Sequence, residues 1–153
     1  MFSPLVLSHP HEFALDTARI TAICEHIASF VDIPQAGILN IAFLPDTEIQ
    51  ALNKAYRGID TSTDVLSFHY FEDFSSVEST ETAGEIIMSE SKVLTHAIEH
   101  GHSPLDECEI LIIHGILHIL GYDHENDEDY QEMWEVEQAV RNVFGLHSHD
   151  LSV

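Results

Sequence analysis

The chain has 153 residues, of which 27 are acidic and five are lysine or arginine, and its formal net charge is −22. A chain of this length buries about two thirds of the surface that it exposes when unfolded, so a single domain over residues 1–153 needs no disulfide scaffold. No stretch approaches the ~20 apolar residues of a transmembrane helix, and the first residues lack the basic and apolar regions of a signal peptide. We therefore expect a cytoplasmic protein in which Cys24 and Cys108 are packing residues.

Hydrophobic periodicity predicts strands early in the chain and helices late. In chain order, the predicted elements are a strand at 3–8, a helix at 15–31, a strand at 37–44, a helix at 45–56, a strand at 64–71, a strand at 84–90 and helices at 91–100, from 103 and at 126–144. Residues 72–84 are polar, acidic and weakly periodic, and we interpret them as a mobile loop, either a substrate lid or an insertion. This order predicts an α+β fold with a single layer of mixed β-sheet packed with helices.

The run HGILHILGYDH, residues 114–124, carries the clearest chemical signal. Residues four apart lie side by side on a helix, so His114 and His118 can bind one metal ion. Gly121 can take the left-handed conformation that ends a helix, after which the chain can fold back and deliver His124. Three protein ligands with an open fourth position are typical of a catalytic zinc site. The alternative is that these are ordinary core histidines, but three buried imidazoles need polar partners.

The same run fits the H-x-x-x-H-x-x-G-x-x-H frame of the metzincin proteases. It differs at Gly115, where those enzymes carry the glutamate that activates the metal-bound water. The pattern therefore predicts the metal site, on a helix packed centrally on the sheet, without the peptidase base. Met133 occupies an amphipathic stretch in which core packing is a simpler interpretation than a Met-turn.

A second segment, NKAYRGIDTSTDVLSF at residues 53–68, joins the histidine run in pointing to a known family. Together they resemble the YbeY-type endoribonucleases of bacterial ribosomal RNA maturation, and a weaker likeness begins at Gly84. The chain matches the family pattern at Asn53, at Arg57 and at residues 63–68, and it departs at Ser62 and His69, where the family usually has proline. The resemblance implies a single-strand-specific endoribonuclease that matures the 3′ end of small-subunit rRNA and acts in ribosome quality control.

The resemblance also implies roles for individual residues and for partners. The family's functional arginine falls on Arg57, so Arg57 and His114 are the predicted catalytic residues, with Arg57 as a phosphate clamp. Composition alone favours a salt bridge between Arg57 and one of the many carboxylates. RNA is the predicted substrate, with no role for DNA or a membrane. A basic small-subunit ribosomal protein or an assembly GTPase would hold so acidic an enzyme at its substrate.

Other histidines and other functions stay open at this point. His96 and His100 are also four apart, with His102 close behind, but their helix position favours a partly solvated face over a second metal pair. His147 and His149 are interpreted as tail residues. One alternative function is a metallopeptidase that takes its base from elsewhere, such as Glu85. Another is a non-catalytic ribosome assembly factor stabilised by its metal.

Overall fold

The computed structural model describes residues 1–123 and 125–146, and this part of the chain forms four strands and five helices. The strands are β1 (Ser3–Val6), β2 (Ile38–Phe43), β3 (Val65–His69) and β4 (Thr82–Met88). The helices are α1 (Thr17–Phe30), α2 (Asp46–Arg57), α3 (Glu90–His100), α4 (Pro104–Ile119) and α5 (Asp127–Val143). Within the described ranges, no helix combines the length and the apolar character that crossing a bilayer requires.

The four strands form one mixed sheet in the order β1-β2-β4-β3. Strands β1, β2 and β4 run parallel, while β3 runs antiparallel to β4. In the register of the two central strands, Ile41 lies opposite Ile86 and Leu39 lies opposite Gly84. The predicted α+β class with a mixed sheet is therefore confirmed.

The two faces of the sheet cover apolar cores of different size. Side chains alternate between faces along a strand, so the neighbours Ile86 and Ile87 of β4 belong to different cores. Ile86 lies in the large core, which includes Ile23 of α1 and Ile112 of α4. Ile87 lies in a small core with Ile49 of α2. Helix α2 thus covers the sheet face opposite to the one that α4 covers.

Helix α4 begins and ends where the sequence predicts. The side chain of Ser103 accepts a hydrogen bond from the backbone N–H of Asp106 at 3.0 Å, which caps the helix. At the other end Gly121 has a φ of +101°, and the N–H of Tyr122 donates to the carbonyl of Leu117 at 3.0 Å. These are features of a Schellman ending. The chain therefore leaves α4 through a tight turn one turn after His118.

The acidic segment at 72–84, predicted as a mobile loop, is instead attached to the large core. Phe74 is 3% exposed and its ring lies 5.3 Å from that of Phe2, edge to face. Val77 is also buried, and strand β4 already begins at Thr82. Two apolar side chains anchor the segment to the large core, and their contribution is hidden by the acidic residues around them. The segment is an anchored connection rather than a lid.

Candidate active site

The two helical histidines of the motif lie together on α4. Their ring centroids are 4.4 Å apart, and Nε2 of His114 lies 2.9 Å from Nε2 of His118. Both side chains are only partly exposed. Two convergent ring nitrogens on adjacent turns are the arrangement that the spacing predicts for ligands of one ion. The predicted third ligand, His124, lies outside the described residues.

A buried carboxylate from α5 holds the first of these imidazoles. Nδ1 of His114 lies in hydrogen-bond contact with Oε1 of Glu137. When Nδ1 donates to the carboxylate, Nε2 keeps its lone pair and faces His118. Glu137 is absent from the predicted site residues, although its position carries a signal: it shares the buried stripe of α5 with Met133 and Val140. A glutamate within an apolar stripe is a candidate for a specific polar contact.

An open cleft of about 740 Å³ brings the two histidines and Arg57 together. His114 and His118 line one wall from α4, and Arg57 reaches the same cleft from the end of α2. Residues 63–69, which lead into and form β3, complete the wall between them. The structure thus places the two segments that carry the family resemblance at one surface depression.

The spacing of Asn53 and Arg57 has a structural reason. Asn53 is buried, and its side-chain amide donates to the carbonyl of Thr61 at 2.9 Å, which fixes the loop between α2 and β3. Arg57, one turn later, is exposed at the end of the helix. Gly58 ends α2 with a φ of +70°, so the chain turns into the cleft wall directly after Arg57.

In the part of the chain that the structure describes, Arg57 does not form the salt bridge that composition favours. Among the described residues, no carboxylate pairs with its guanidinium, and it is the only lysine or arginine lining the cleft. Arg19 instead pairs with the fully buried Glu109 at 2.8 Å. Lys54 lies 3.9 Å from Asp60, beside the cleft. The guanidinium of Arg57 is therefore available to an anion that enters the cleft.

Neither Gly115, the metzincin position, nor Glu85 supplies a peptidase base. A Cβ atom on Gly115 would lie 2.9 Å from Cδ1 of Ile86, because α4 packs closely on β4 there. A glutamate in place of Gly115 would point into the sheet. Gly84 and Ile86 both face α4, so Glu85 lies on the opposite face of β4, where the hydroxyl of Tyr70 donates to its carboxylate. The metallopeptidase alternative therefore loses Glu85 as its base, which leaves a loop acid as its candidate.

The second histidine group is partly solvated, as predicted, and it also contacts carboxylates. His96 and His100 expose about a third of their side chains, and each contacts a carboxylate through Nδ1: His96 with Asp64 at 3.2 Å and His100 with Glu107 at 2.9 Å. His102 reaches the same carboxylate of Glu107 at 2.6 Å. The donor atoms of His100, His102 and Glu107 all lie within 4.8 Å of one another, so this group can hold a metal ion.

The two positions that depart from the family pattern take up polar contacts. The hydroxyl of Ser62 donates to Asp46 at 3.4 Å. Hydrogen bonds from Ser89 and from a second serine lower the pKa of Asp46, whose carboxylate ties the start of α2 to the start of α3. His69 ends β3, lines the cleft and lies 3.6 Å from Glu72. Serine at position 62 thus joins an existing hydrogen-bond network.

Comparison with known proteins gives one consistent result. The sequence profile of the family described as Endoribonuclease YbeY matches residues 9–145. An Endoribonuclease YbeY of Macrococcus caseolyticus is 42% identical over 117 residues, covering 74% of this chain and 76% of the relative. That of Geobacillus thermodenitrificans is 32% identical over 149 residues, covering 88% and 96%.

A solved structure agrees with the sequence comparisons. The solution structure of a Thermotoga maritima protein superposes with a TM-score of 0.56 and 29% identity, covering 94% of this chain and 90% of the other. The matched regions contain both the α4 histidines and Arg57. The chain therefore belongs to the YbeY family of endoribonucleases, hydrolases that cut phosphodiester bonds within RNA.

Proposed function

We propose that this protein is a zinc-dependent, single-strand-specific endoribonuclease, one hydrolase domain over residues 1–153, that acts in ribosomal RNA processing. Its role would be 3′-end maturation of small-subunit rRNA and ribosome quality control. The observation that supports this best is the cleft that holds paired imidazoles and the guanidinium of Arg57, which pairs with no carboxylate of residues 1–123 and 125–146. Family membership supports the RNA substrate, while single-strand specificity and the step in maturation come from the family resemblance.

The donor set fits a zinc ion. Nε2 of His114 and Nε2 of His118 converge, and the contact with Glu137 favours the tautomer whose Nε2 can bind a metal. His124 is the proposed third ligand. When bound, zinc would supply Lewis acidity and water activation near neutral pH.

The remaining chemistry belongs to the side chains of the cleft. Arg57 would bind two non-bridging oxygens of the scissile phosphate through its planar fork and offset the charge that builds up there. His114 would hold its orientation through Glu137 as the reaction proceeds. The hydroxyls of Thr63 and Ser67 line the cleft. That of Thr63 donates to Asp64 at 3.3 Å, and that of Ser67 can donate to an RNA backbone.

The acidic surface requires help in binding. With a net charge of −22, and with Arg57 as the only lysine or arginine among the described residues of the cleft, the protein cannot neutralise many phosphates itself. We propose that a basic small-subunit ribosomal protein, or an assembly GTPase bound to the ribosome, presents the RNA. That role would place the enzyme in the cytoplasm.

The decisive test is RNA cleavage by Arg57 variants. We expect Arg57→Ala to lose at least about 100-fold in cleavage rate, because the phosphate loses its clamp. Its metal content should stay unchanged, because the Arg57 side chain is exposed. Arg57→Lys should recover only part of the rate, since an ammonium lacks the planar fork. Cleavage of a single-stranded RNA, metal content and thermal unfolding are measured on each variant.

Lys54→Ala is the matched control. Lys54 is also an exposed cation of α2 but lies outside the cleft lining, so its loss should leave cleavage within about twofold of the wild type. Wild-type cleavage by Arg57→Ala would eliminate the phosphate clamp. Bound metal with no cleavage by the wild type on any RNA would favour the non-catalytic assembly factor instead.

A further inference from the structure

A compact group of metal-ligating side chains lies at the corner between α3 and α4, outside the proposed active site. His100 is the last residue of α3, His102 follows the turn at Gly101, and Glu107 lies in the first turn of α4. The turn depends on Gly101, whose φ is +72°, so the two imidazoles face back toward the start of α4.

The contacts within this group converge on one oxygen atom. Nδ1 of His100 lies 2.9 Å and Nε2 of His102 lies 2.6 Å from Oε1 of Glu107. The side chains of Glu107 and His102 are 4% and 7% exposed. Among the described residues, the ionic partners within 4 Å of this carboxylate are these two imidazoles. A carboxylate removed from water in this way needs compensating charge.

The end of α3 favours a cation at the corner, whereas the start of α4 carries partial positive charge that the carboxylate of Glu107 offsets. The C-terminal end of α3 carries partial negative charge, and His100 lies in its last turn. His96, one turn earlier on α3, contacts Asp64 at 3.2 Å, and the donor atoms of Asp64, His96 and Glu107 also lie within 4.8 Å of one another. The potential ligands therefore continue from the corner toward the cleft, which Asp64 lines.

We propose that His100, His102 and Glu107 bind a second divalent transition-metal ion, through Nδ1, Nε2 and the carboxylate respectively. Two imidazoles and one carboxylate suit zinc, and they disfavour calcium and magnesium, which prefer oxygen ligands. The three ligands leave a fourth position, open to water or to Asp64 and His96 nearby.

The second ion would lie beside the proposed active site rather than in it. Glu107 precedes His114 by seven residues, so both project from the same face of α4 about 10 Å apart along its axis. An ion there would add positive charge next to a cleft in which Arg57 is the only cation among the described residues. It would also join the end of α3 to the start of α4.

Metal stoichiometry tests this site independently of the proposed function. The purified protein is stripped with a chelator, dialysed against zinc, and analysed for metal by mass spectrometry, with thermal unfolding as a check of the fold. We expect two equivalents for the wild type and one for the His114→Ala/His118→Ala variant. We expect one for His102→Gln, and one for His100→Gln, whose partly exposed side chain can be replaced without burying a void.

His11→Gln is the matched control, because His11 is exposed and the variant should still bind two equivalents of metal. Combining His102→Gln with His114→Ala/His118→Ala should leave none. One equivalent in the wild type that His114→Ala/His118→Ala removes would overturn the second site and leave the first intact. One equivalent that only His102→Gln removes would instead support the corner site and contradict the active-site metal. Two equivalents in both His100→Gln and His102→Gln would also overturn the proposal.

Discussion

Glu137 shows how much a single buried carboxylate can control. It lies on α5 and contacts Nδ1 of His114. Burial lowers the pKa of Arg141, one turn later on α5, and the charge of Glu137 opposes that shift. A carboxylate behind an imidazole ligand fixes the ring's tautomer and orientation and raises its basicity. The polar contact between α4 and α5 is therefore part of the site as well as of the fold.

The first prediction concerns this contact. Glu137→Gln keeps the size of the side chain but removes its charge, so we expect zinc affinity at the α4 histidines to fall about 10- to 100-fold. The measurement is competition with a chromophoric chelator in a His102→Gln background, which leaves the α4 site as the one under study. Exposed Glu135 on the same helix gives the control, Glu135→Gln, which should bind zinc as tightly as the background. Equal affinity in the Glu137→Gln variant would show that the contact has no influence on the metal.

Local spacing was readable in the sequence, whereas contacts between distant segments were not. The pairing of His114 with His118 and the left-handed Gly121 follow from helix geometry over a few residues. The contact of Glu137 with His114 depends on how two helices pack, which no periodicity specifies. The contact of the partly solvated His100 with Glu107 escapes prediction for the same reason, since Glu107 lies on the next helix.

At the level of elements, α4 packs closely against β4. Glycines on both elements permit it: Gly115 on the helix and Gly84 on the strand. A Cβ atom on Gly84 would lie 2.7 Å from the carbonyl oxygen of Phe68 and 3.0 Å from Cδ1 of Ile119. The first neighbour is backbone and cannot rotate away. At Gly115 the neighbour is the end of the Ile86 side chain, which can move.

This difference gives a stability prediction. Gly84→Ala should lower the free energy of unfolding by about 2–3 kcal/mol, because overpacking against backbone must displace β3 or α4. Gly115→Ala should change it by less than about 1 kcal/mol, since better helix propensity offsets the strain at Ile86. Urea unfolding in the presence of a chelator measures both without a metal contribution. A larger loss for Gly115→Ala than for Gly84→Ala would contradict this account of the packing.

The elements themselves were mostly predictable, and the exception is instructive. Strand and helix positions followed from apolar periodicity and from caps such as Ser103. The segment at 72–84 is predicted as a mobile loop because its two buried residues, Phe74 and Val77, are too few to produce a periodic signal. Anchoring by isolated apolar side chains becomes visible only when their partners, such as Phe2, are known.

At the scale of the whole molecule, charge opposes the substrate. The twelve histidines can reduce this repulsion near neutral pH, since protonating all of them would remove about half of the net charge of −22. The proposed ligand histidines would resist, because a bound metal would compete with protons for their ring nitrogens. Binding and cleavage should therefore respond to pH in opposite directions.

The corresponding prediction is a crossing pattern between pH 8 and pH 6. Affinity for a single-stranded RNA should rise as pH falls, because repulsion from the phosphates weakens, while the cleavage rate should fall as protons displace metal from imidazole. Fluorescence anisotropy at constant ionic strength measures binding, cleavage is followed on the same RNA, and circular dichroism checks the fold. Affinity that falls steadily with pH while the fold persists would show that overall repulsion does not limit this enzyme.

The contact between Gly115 and Ile86 also limits which activities the protein can acquire by mutation. One substitution, Gly115→Glu, would complete the metzincin frame in the sequence. In the folded protein, the new carboxylate would need a smaller residue at position 86 and a rotated or displaced α4 before it could reach the cleft. The intermediate carrying only the first substitution would lose stability without gaining a base. The nuclease and the peptidase frames, one residue apart in sequence, are thus separated by several coupled changes in the core.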